Sequence, residues 1–250
     1  MKTRTNMINI AFGVIMLITL AACGGGGNGD GGTTGGGGVT NISANGLWEG
    51  TFTEIGVGTF DVSGLLYNGR IIAISESAGA IYDGSYTVSG NSISGNVTAY
   101  QINGGPYATA TISGTVTEQG SISVSFNTSY GTSGTMSLTF NSIYNRASSL
   151  SLVAGSWNYT SGSYSLTVTV QNDGAFFGQD SDGCVISGTI GLLDTTHNLY
   201  SMTTSITSCG SLNGTYTGLA GLLDNVSTND TLQVAISNSN YILLYPFSRQ

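Results

Sequence analysis

Few side chains in this sequence of 250 residues can support acid–base, nucleophilic or metal chemistry. His197 is the single histidine, so the chain cannot build a two-histidine metal site. No Gly-x-Ser-x-Gly motif is present, and a Ser–His–Asp triad would have to use His197 from a predicted loop. The acidic cluster at 180–183 (Asp-Ser-Asp-Gly) could be a Ca²⁺ loop, but it lacks a later Glu and also suits a hairpin tip. We therefore predict a protein that is not an enzyme and that holds no metal or cofactor.

The cysteine with the most informative surroundings is Cys23, which follows the tripeptide Leu-Ala-Ala at 20–22. Lys2 and Arg4 precede a nearly uninterrupted apolar run over 7–20, an order that is typical of a secretory signal. A plain transmembrane anchor is the alternative. The apolar run has about 14 residues, however, whereas a spanning helix needs roughly 18 to 20.

Residues 20–23 resemble a bacterial lipobox. The resemblance implies that residues 1–22 are removed as a signal peptide and that the thiol of Cys23 is acylated with chains of the palmitate type. A single acyl chain holds a protein on a membrane only marginally, and the resemblance implies three. Gly24 stands where an aspartate would indicate retention at the inner membrane. The resemblance thus implies a lipid anchor in the outer membrane, on either its periplasmic or its cell-surface face.

The segment 23–38 is interpreted as the lipidated cysteine followed by a glycine-rich tether. Eleven of the fifteen residues from 24 to 38 are glycine, and glycine loses more conformational entropy on ordering than any other residue. Such a spacer reaches about 20 Å on average. A glycine run after a lipidated cysteine resembles the start of surface-exposed lipoproteins of Gram-negative bacteria.

The charge of the remaining chain excludes one class of partner. Removal of the leader leaves Arg70, Arg146 and Arg249 against 13 acidic residues, and hence a formal charge of −10 with no lysine. Three scattered arginines cannot form the basic stripe that a phosphate backbone requires, so no nucleic acid is expected as a partner. The same charge disfavours contact with anionic lipid, so we expect membrane contact through the lipid anchor alone.

From residue 39 onward the sequence predicts an all-β protein. Apolar residues alternate with Ser, Thr and Asn, which is typical of antiparallel strands with one buried face. Dipeptides such as Asn68-Gly69 and Asp173-Gly174 indicate hairpin turns, whereas Asp83-Gly84 could also be a bend within a strand. Clear alternating runs are Ile122–Phe126, Met136–Phe140, Leu166–Val170 and Leu232–Ile236.

The same order of motifs occurs twice along the chain. A Gly-x-Trp motif at 46–48 returns at 155–157, and the segment 79–86 aligns with 183–190. The number of residues that separates matching motifs changes along the chain, as expected for a duplication with shortened loops. Chance similarity between strands rich in Ser, Thr and Gly is the alternative. We predict a first β unit over 39–149 and a second over 150–250.

Each unit has about eight predicted strands, enough for a small up-and-down barrel. The Gly-x-Trp motif on the first strand and an arginine after the last resemble the lipocalin and avidin group of barrels. That resemblance implies a plug at one barrel end, in which Arg146 packs on Trp48 and Arg249 packs on Trp157. Two β-sandwiches, one continuous pair of sheets and a sixteen-stranded membrane barrel are the alternatives.

Cys184 and Cys209 are predicted to form a disulfide. With Cys23 assigned to the lipid, they remain as an even pair in an oxidising compartment. The positions that align with them in the first unit hold Ala80 and Thr109, so both cysteines are missing there together. This joint absence supports a bond between Cys184 and Cys209. A structural role is favoured because a redox pair would be expected in a Cys-x-x-Cys motif.

These observations favour a non-enzymatic binding or interaction module displayed on the outer membrane. The alternatives are an accessory lipoprotein of an outer-membrane complex and a carrier of a small apolar ligand inside a barrel. A protein, a glycan or a small apolar molecule could be the partner. The abundance of small residues favours narrow, packed barrels that act through their surfaces.

Overall fold

Most of the chain after residue 45 forms antiparallel β-strands. The computed structural model describes residues 40–102 and 105–250. The predicted signal peptide 1–22, the predicted lipidation at Cys23 and the tether 23–38 therefore lie outside the described residues.

The first eight strands form a closed barrel, barrel 1. Each strand pairs with the next along the chain, and β8 closes the barrel by pairing with β1 from Leu47–Asn141 to Glu54–Gly134. The strands are β1 (Gly46–Glu54), β2 (Gly58–Tyr67), β3 (Arg70–Ser75), β4 (Ala80–Ser89), β5 (Ser92–Gln101), β6 (Pro106–Val116), β7 (Ser121–Thr128) and β8 (Ser133–Asn141).

A short connection with two helical turns leads to the second barrel. A 3₁₀ turn spans Ser142–Asn145, and the side chain of Asn141 caps it by accepting the N–H of Ile143 at 3.0 Å. A four-residue helix, α1, spans Leu150–Val153. Within the described residues, no helix has the length and apolarity needed to cross a membrane.

The last eight strands form barrel 2 with the same topology. A second 3₁₀ turn, Gly210–Leu212, precedes β14. The strands are β9 (Gly155–Ser161), β10 (Tyr164–Val170), β11 (Ala175–Asp180), β12 (Val185–Asp194), β13 (Leu199–Thr207), β14 (Gly214–Leu223), β15 (Thr231–Ser237) and β16 (Ile242–Arg249).

The predicted all-β fold with two eight-stranded up-and-down barrels is confirmed. Closure of each set of eight strands on itself excludes the two sandwiches, the continuous sheet pair and the single sixteen-stranded barrel. Barrel 1 spans 46–141 and barrel 2 spans 155–249, and Val39–Gln250 forms one compact unit that contains both. Because each barrel closes without a partner strand from elsewhere, we expect this unit to fold on its own.

Alternation along the strands decides which side chains fill each barrel. In β7, Ile122, Val124 and Phe126 are buried inside barrel 1, while the serines between them are exposed. Leu166, Val168 and Val170 follow the same pattern in β10. Burial of these faces removes apolar surface from water at about 25 cal/mol per Å².

Two of the glycines within strands lie at matching places in the two barrels. Gly84 lies in the middle of β4 and Gly188 in the middle of β12, so Asp83-Gly84 belongs to a strand and not to a hairpin turn. A Cβ atom at either position would lie 2.0 Å from a backbone carbonyl oxygen, of Asn96 or of Thr203. Both sites therefore require glycine for the same reason, as expected of a duplicated unit.

The two barrels differ at the strands that close them. In barrel 2, the ladder between β9 and β16 contains only the register pairs Asn158–Ser248 and Trp157–Arg249. We call this short ladder the seam. Beyond it, the rest of β9 and β16 pair only with their other neighbours, β10 and β15.

Outer faces of the two barrels pack against each other. A shared apolar cluster contains Ile72 and Ile81 of barrel 1 and Ala235 and Ile242 of barrel 2. Beside it, Arg70 bonds to Asp83 at 3.2 Å and donates to the hydroxyl of Ser237 at 2.9 Å. A groove of about 400 Å³ runs along this junction.

Candidate functional site

Both barrels have a closed end that is filled by a tryptophan. Trp48 and Trp157 are fully buried, and each indole N–H donates to the carbonyl of the residue four positions earlier. The acceptors are Ala44 at 3.0 Å and Val153 at 2.7 Å. Burial of an indole removes a large apolar surface from water, which stabilises the fold. Because its N–H is hydrogen-bonded, no unpaired donor is buried with it.

The predicted plug forms in barrel 2. The guanidinium of Arg249 lies 4.2 Å from the ring centroid of Trp157, a distance suited to a cation–π contact. The same guanidinium donates to the carbonyl of Ala154 at 3.0 Å and to that of Leu152. Arg249 thereby joins the closed end of barrel 2, the seam and the end of α1.

In barrel 1, the prediction that Arg146 packs on Trp48 is wrong. Register explains why: Trp157 pairs with Arg249 across the seam, and in barrel 1 Trp48 pairs with Phe140. Phe140 thus occupies the place that we assigned to Arg146. Its ring meets Trp48 edge-on, with centroids 5.4 Å apart.

Arg146 instead connects the two barrels. It lies in the segment after β8 and forms a two-pronged salt bridge with Asp224, with nitrogen–oxygen distances of 2.7 and 2.5 Å. These hydrogen bonds, together with the N–H of Asn229, lower the pKa of Asp224 to about 2. The pair is about one-third exposed, so solvent screens its contribution to stability.

Barrel 1 contains an apolar cavity of about 160 Å³. It lies in the half of the barrel opposite Trp48, where the inward positions of neighbouring strands are alanines. Ala99 pairs with Ala108 between β5 and β6, and Ala110 faces Val97 one step further in. Small side chains here cannot fill the space that eight strands enclose. Phe52, Ile93, Phe126, Met136 and Leu138 are among the other residues that line the cavity.

Tyrosines and one carboxylate line the open end of this cavity, which we call mouth 1. Glu54, Tyr82, Tyr107 and Tyr130 all border it. The hydroxyl of Tyr130 donates to the carbonyl of Tyr107. Burial, followed by the phenol and carboxylate nearby, raises the pKa of Tyr82 and of Tyr107. These two phenols therefore stay neutral at physiological pH and can act as hydrogen-bonding groups.

Apolar side chains project from the hairpins around mouth 1. Ile55 and Val57 in the β1–β2 turn are 71% and 60% exposed, and Tyr130 in the β7–β8 turn is 59% exposed. Large exposed apolar groups gathered at one end of a barrel are typical of an interaction site. They make the route into the cavity apolar.

Barrel 2, in contrast, is filled. Its interior keeps a void of about 30 Å³, because larger side chains such as Phe176 and Met202 occupy the centre. The hydroxyl of Thr204 faces this void and is the one buried side-chain polar atom, among the residues described, that lacks a hydrogen-bond partner. The expectation of packed, narrow barrels fits barrel 2 but not barrel 1.

The open end of barrel 2 carries a shallow depression of about 620 Å³, which we call mouth 2. It is lined by Tyr159, Tyr164 and Tyr245, beside the gap that the short seam leaves. Tyr159 and Tyr245 meet edge-on at 5.3 Å, and Tyr164 donates to Asp180 at 3.1 Å. Burial is the main cause of the raised pKa of Tyr164 and of Tyr245.

The predicted disulfide between Cys184 and Cys209 is present at the edge of mouth 2. It joins the β11–β12 hairpin to the loop before β14, with Cα atoms 4.7 Å apart. Asp180 lies close to both sulfurs, but a disulfide offers no thiolate to a metal ion.

The acidic cluster at 180–183 forms a hairpin turn, one of the two interpretations of the sequence. Oδ1 of Asp180 accepts the N–H groups of Asp182 and Cys184 at 2.9 and 2.8 Å, and Oδ2 accepts the hydroxyl of Tyr164. The carboxylate therefore stabilises the turn itself.

His197 is held by its neighbours between the barrels. Its Nδ1 lies 2.6 Å from Oδ2 of Asp194, and its ring stacks on Tyr144 with centroids 4.6 Å apart. Hydrogen bonds from Thr196, then that from His197, lower the pKa of Asp194 to about 2. Among the described contacts, the only hydroxyl that bonds to this imidazole is that of Thr196, also at Nδ1, so no Ser–His–Asp arrangement is formed.

The fold and these sites define a tandem of small β-barrels, one of which has an apolar cavity with a tyrosine-lined mouth. No known family model matches the sequence, and no curated protein is significantly similar to it. A solved structure described as a "putative outer membrane protein" from Bacteroides fragilis NCTC 9343 is 12% identical. The match covers 82% of this chain and 97% of that chain, with a TM-score of 0.28, and at this score we draw no conclusion from it.

Sequence reasoning missed the cavity and Glu54. Ala99, Ala108 and Ala110 attract no attention in a sequence rich in small residues, and only strand register shows that they share one wall. Glu54 continues the alternation that points Trp48 and Phe52 inward along β1. This alternation in the sequence could have placed its side chain at the barrel interior.

Proposed function

We propose that this chain is a lipid-anchored envelope protein that binds a small apolar ligand in barrel 1. The cavity of about 160 Å³ behind mouth 1 is the observation that carries the proposal. It is comparable to an apolar cavity of about 150 Å³ that takes up benzene. This choice favours the carrier alternative over a purely surface-acting module, because the interior of barrel 1 has both space and an opening.

In this proposal barrel 2 packs against barrel 1 and does not hold a second ligand. Its void of about 30 Å³ leaves room for no more than a water molecule. The apolar contact between the barrels fixes their relative positions without covering mouth 1. The proposed activity is non-enzymatic, and its partner is a small molecule.

Filling the cavity of barrel 1 with a larger side chain tests whether it binds a ligand. Ala110→Leu places three extra carbon atoms in the cavity, so binding of a neutral probe such as n-hexanol should be lost. Titration calorimetry on the unit 39–250 measures this binding without detergent. The fold should be kept, with a change of stability within about 1–2 kcal/mol, because the added group enters empty space.

Ala147→Leu is the matched control. Ala147 is exposed in the connection between the barrels, so the same substitution there should leave hexanol binding unchanged. Equal affinity of the wild type and Ala110→Leu would contradict ligand binding inside barrel 1.

The anchoring part of the proposal rests on the lipobox-like residues around Cys23. Metabolic labelling with an alkyne analogue of palmitate in a Gram-negative host should label the wild type and not Cys23→Ala. The labelled protein should fractionate with the outer membrane. Cys209→Ala, which removes a different cysteine, should keep its label. Label retained on Cys23→Ala would refute acylation at this site.

A further inference from the structure

Glu54 is the one acidic side chain that borders the cavity of barrel 1. It follows Phe52 on the inward face of β1, and its backbone carbonyl accepts the N–H of Val57 at 3.1 Å. Among the described residues, no side chain or N–H group donates a hydrogen bond to its carboxylate. Glu54 is half-buried, so its carboxylate keeps part of its hydration and would gain from a cation that approaches it from mouth 1.

Among residues 40–102 and 105–250, no basic side chain bonds to this carboxylate. The described part of the chain contains three arginines, and each is engaged elsewhere. Arg70 bonds to Asp83, Arg146 bonds to Asp224, and Arg249 lies on Trp157. The histidine is paired with Asp194. Lys2 and Arg4 belong to the proposed signal peptide, so we expect a cation that approaches Glu54 to come from outside the mature chain.

Aromatic side chains border the place where such a partner would sit. Tyr82, Tyr107 and Tyr130 border mouth 1, and Phe52 lies behind them, 6.0 Å from Tyr82 in an edge-on arrangement. Aromatic rings attract a cation over their faces, and the attraction grows when water is excluded. Burial raises the pKa of Tyr82 and of Tyr107, so these two phenols remain neutral. Among the described residues that border the cavity, Glu54 is the one acidic side chain.

We propose that mouth 1 selects an organic ammonium whose short apolar tail enters barrel 1, with Glu54 and the three tyrosines binding the charged head. This inference rests on the proposed function, since it assigns the chemistry of the ligand of the same cavity. A cavity of about 160 Å³ suits a tail of about six carbon atoms or one aromatic ring. Carboxylate and phosphate heads are disfavoured because Glu54 repels them.

Three probes with the same tail separate the head from the tail: n-hexylammonium, n-hexanol and hexanoate. Titration calorimetry on the unit 39–250 should give hexylammonium about tenfold tighter binding than hexanol, and hexanoate the weakest. The preference for ammonium should decrease at high salt, because screening weakens the attraction to a partly exposed carboxylate.

Glu54→Gln keeps the size of the side chain and removes its charge. It should lower the affinity for hexylammonium to that for hexanol and leave hexanol binding unchanged. Glu118→Gln is the control, since Glu118 is exposed in the β6–β7 turn at the opposite end of the barrel. That variant should keep the tenfold preference.

The outcomes separate the two claims. If hexanol and hexylammonium bind the wild type equally, or if Glu54→Gln keeps the preference, the selection of an ammonium is overturned and the apolar cavity site stands. If none of the three probes binds, both this inference and the proposed function are overturned.

Discussion

Replacing Trp157 with alanine should lower the free energy of unfolding by about 3–5 kcal/mol, the usual cost of deleting a large buried aromatic side chain. Trp157 is fully buried and fills the closed end of barrel 2. Its loss also removes the contact beneath Arg249 and the hydrogen bond to Val153, both of which hold the seam and α1 in place. Equilibrium unfolding in guanidinium chloride, followed by tyrosine and residual tryptophan fluorescence, measures the change.

Two further substitutions separate the effect of the lost ring volume from that of the lost N–H, and compare the two barrels. Trp157→Phe keeps most of the ring volume and loses the N–H, so it should cost clearly less than Trp157→Ala. Trp48→Ala creates a similar void in barrel 1, but β1 and β8 remain joined along nearly their whole length. Hydrogen exchange should therefore increase in β9 and β16 after Trp157→Ala more than in β1 and β8 after Trp48→Ala. A loss below about 1 kcal/mol for Trp157→Ala would contradict the role of the indole as a plug.

Removal of the disulfide should be the second large effect. The bridge between Cys184 and Cys209 closes a segment with a sequence separation of 25, and the chain-entropy relation assigns about 3.5 kcal/mol to a loop of this length. The double variant Cys184→Ala with Cys209→Ala should therefore unfold at a lower denaturant concentration by a corresponding amount. The wild type under reducing conditions should behave like this variant.

The location of the destabilisation is as informative as its size. Amide exchange should increase first in β12 and β13, which the bridge spans, and least in β1 and β2. Hexanol binding to barrel 1 should be preserved in the double variant, because mouth 1 contains neither cysteine. Equal loss of protection in both barrels would show that they unfold as one unit.

Much of the fold could be predicted from the alternation of residues. Runs such as Ile122–Phe126 specify a strand and its buried face without reference to the rest of the chain. The disulfide followed from counting cysteines, and the contact of Trp157 with Arg249 followed from a resemblance in motif. These features depend on local pattern or on a pair of rare residues.

The features that were missed depend on register. Phe140, not Arg146, faces Trp48 because the pairing of β8 with β1 fixes which residue lies opposite. The cavity depends on Ala99, Ala108 and Ala110 meeting on one wall, although other small residues in the chain lie on outer faces. Neither outcome can be derived from composition, because a shift of one residue in register exchanges the inner and outer faces.

The strands around mouth 2 are joined by a covalent bond on one side and by a short ladder on the other. Counting strands around barrel 2, the disulfide spans β12 and β13, which lie diametrically opposite the junction of β9 with β16. A covalent bond thus holds one side of the rim, while on the other side β9 and β16 pair only near Trp157 and Arg249. Above these pairs the two strands meet through the rings of Tyr159 and Tyr245. We therefore expect any widening of mouth 2 to occur on this side, where side-chain contacts replace strand hydrogen bonds.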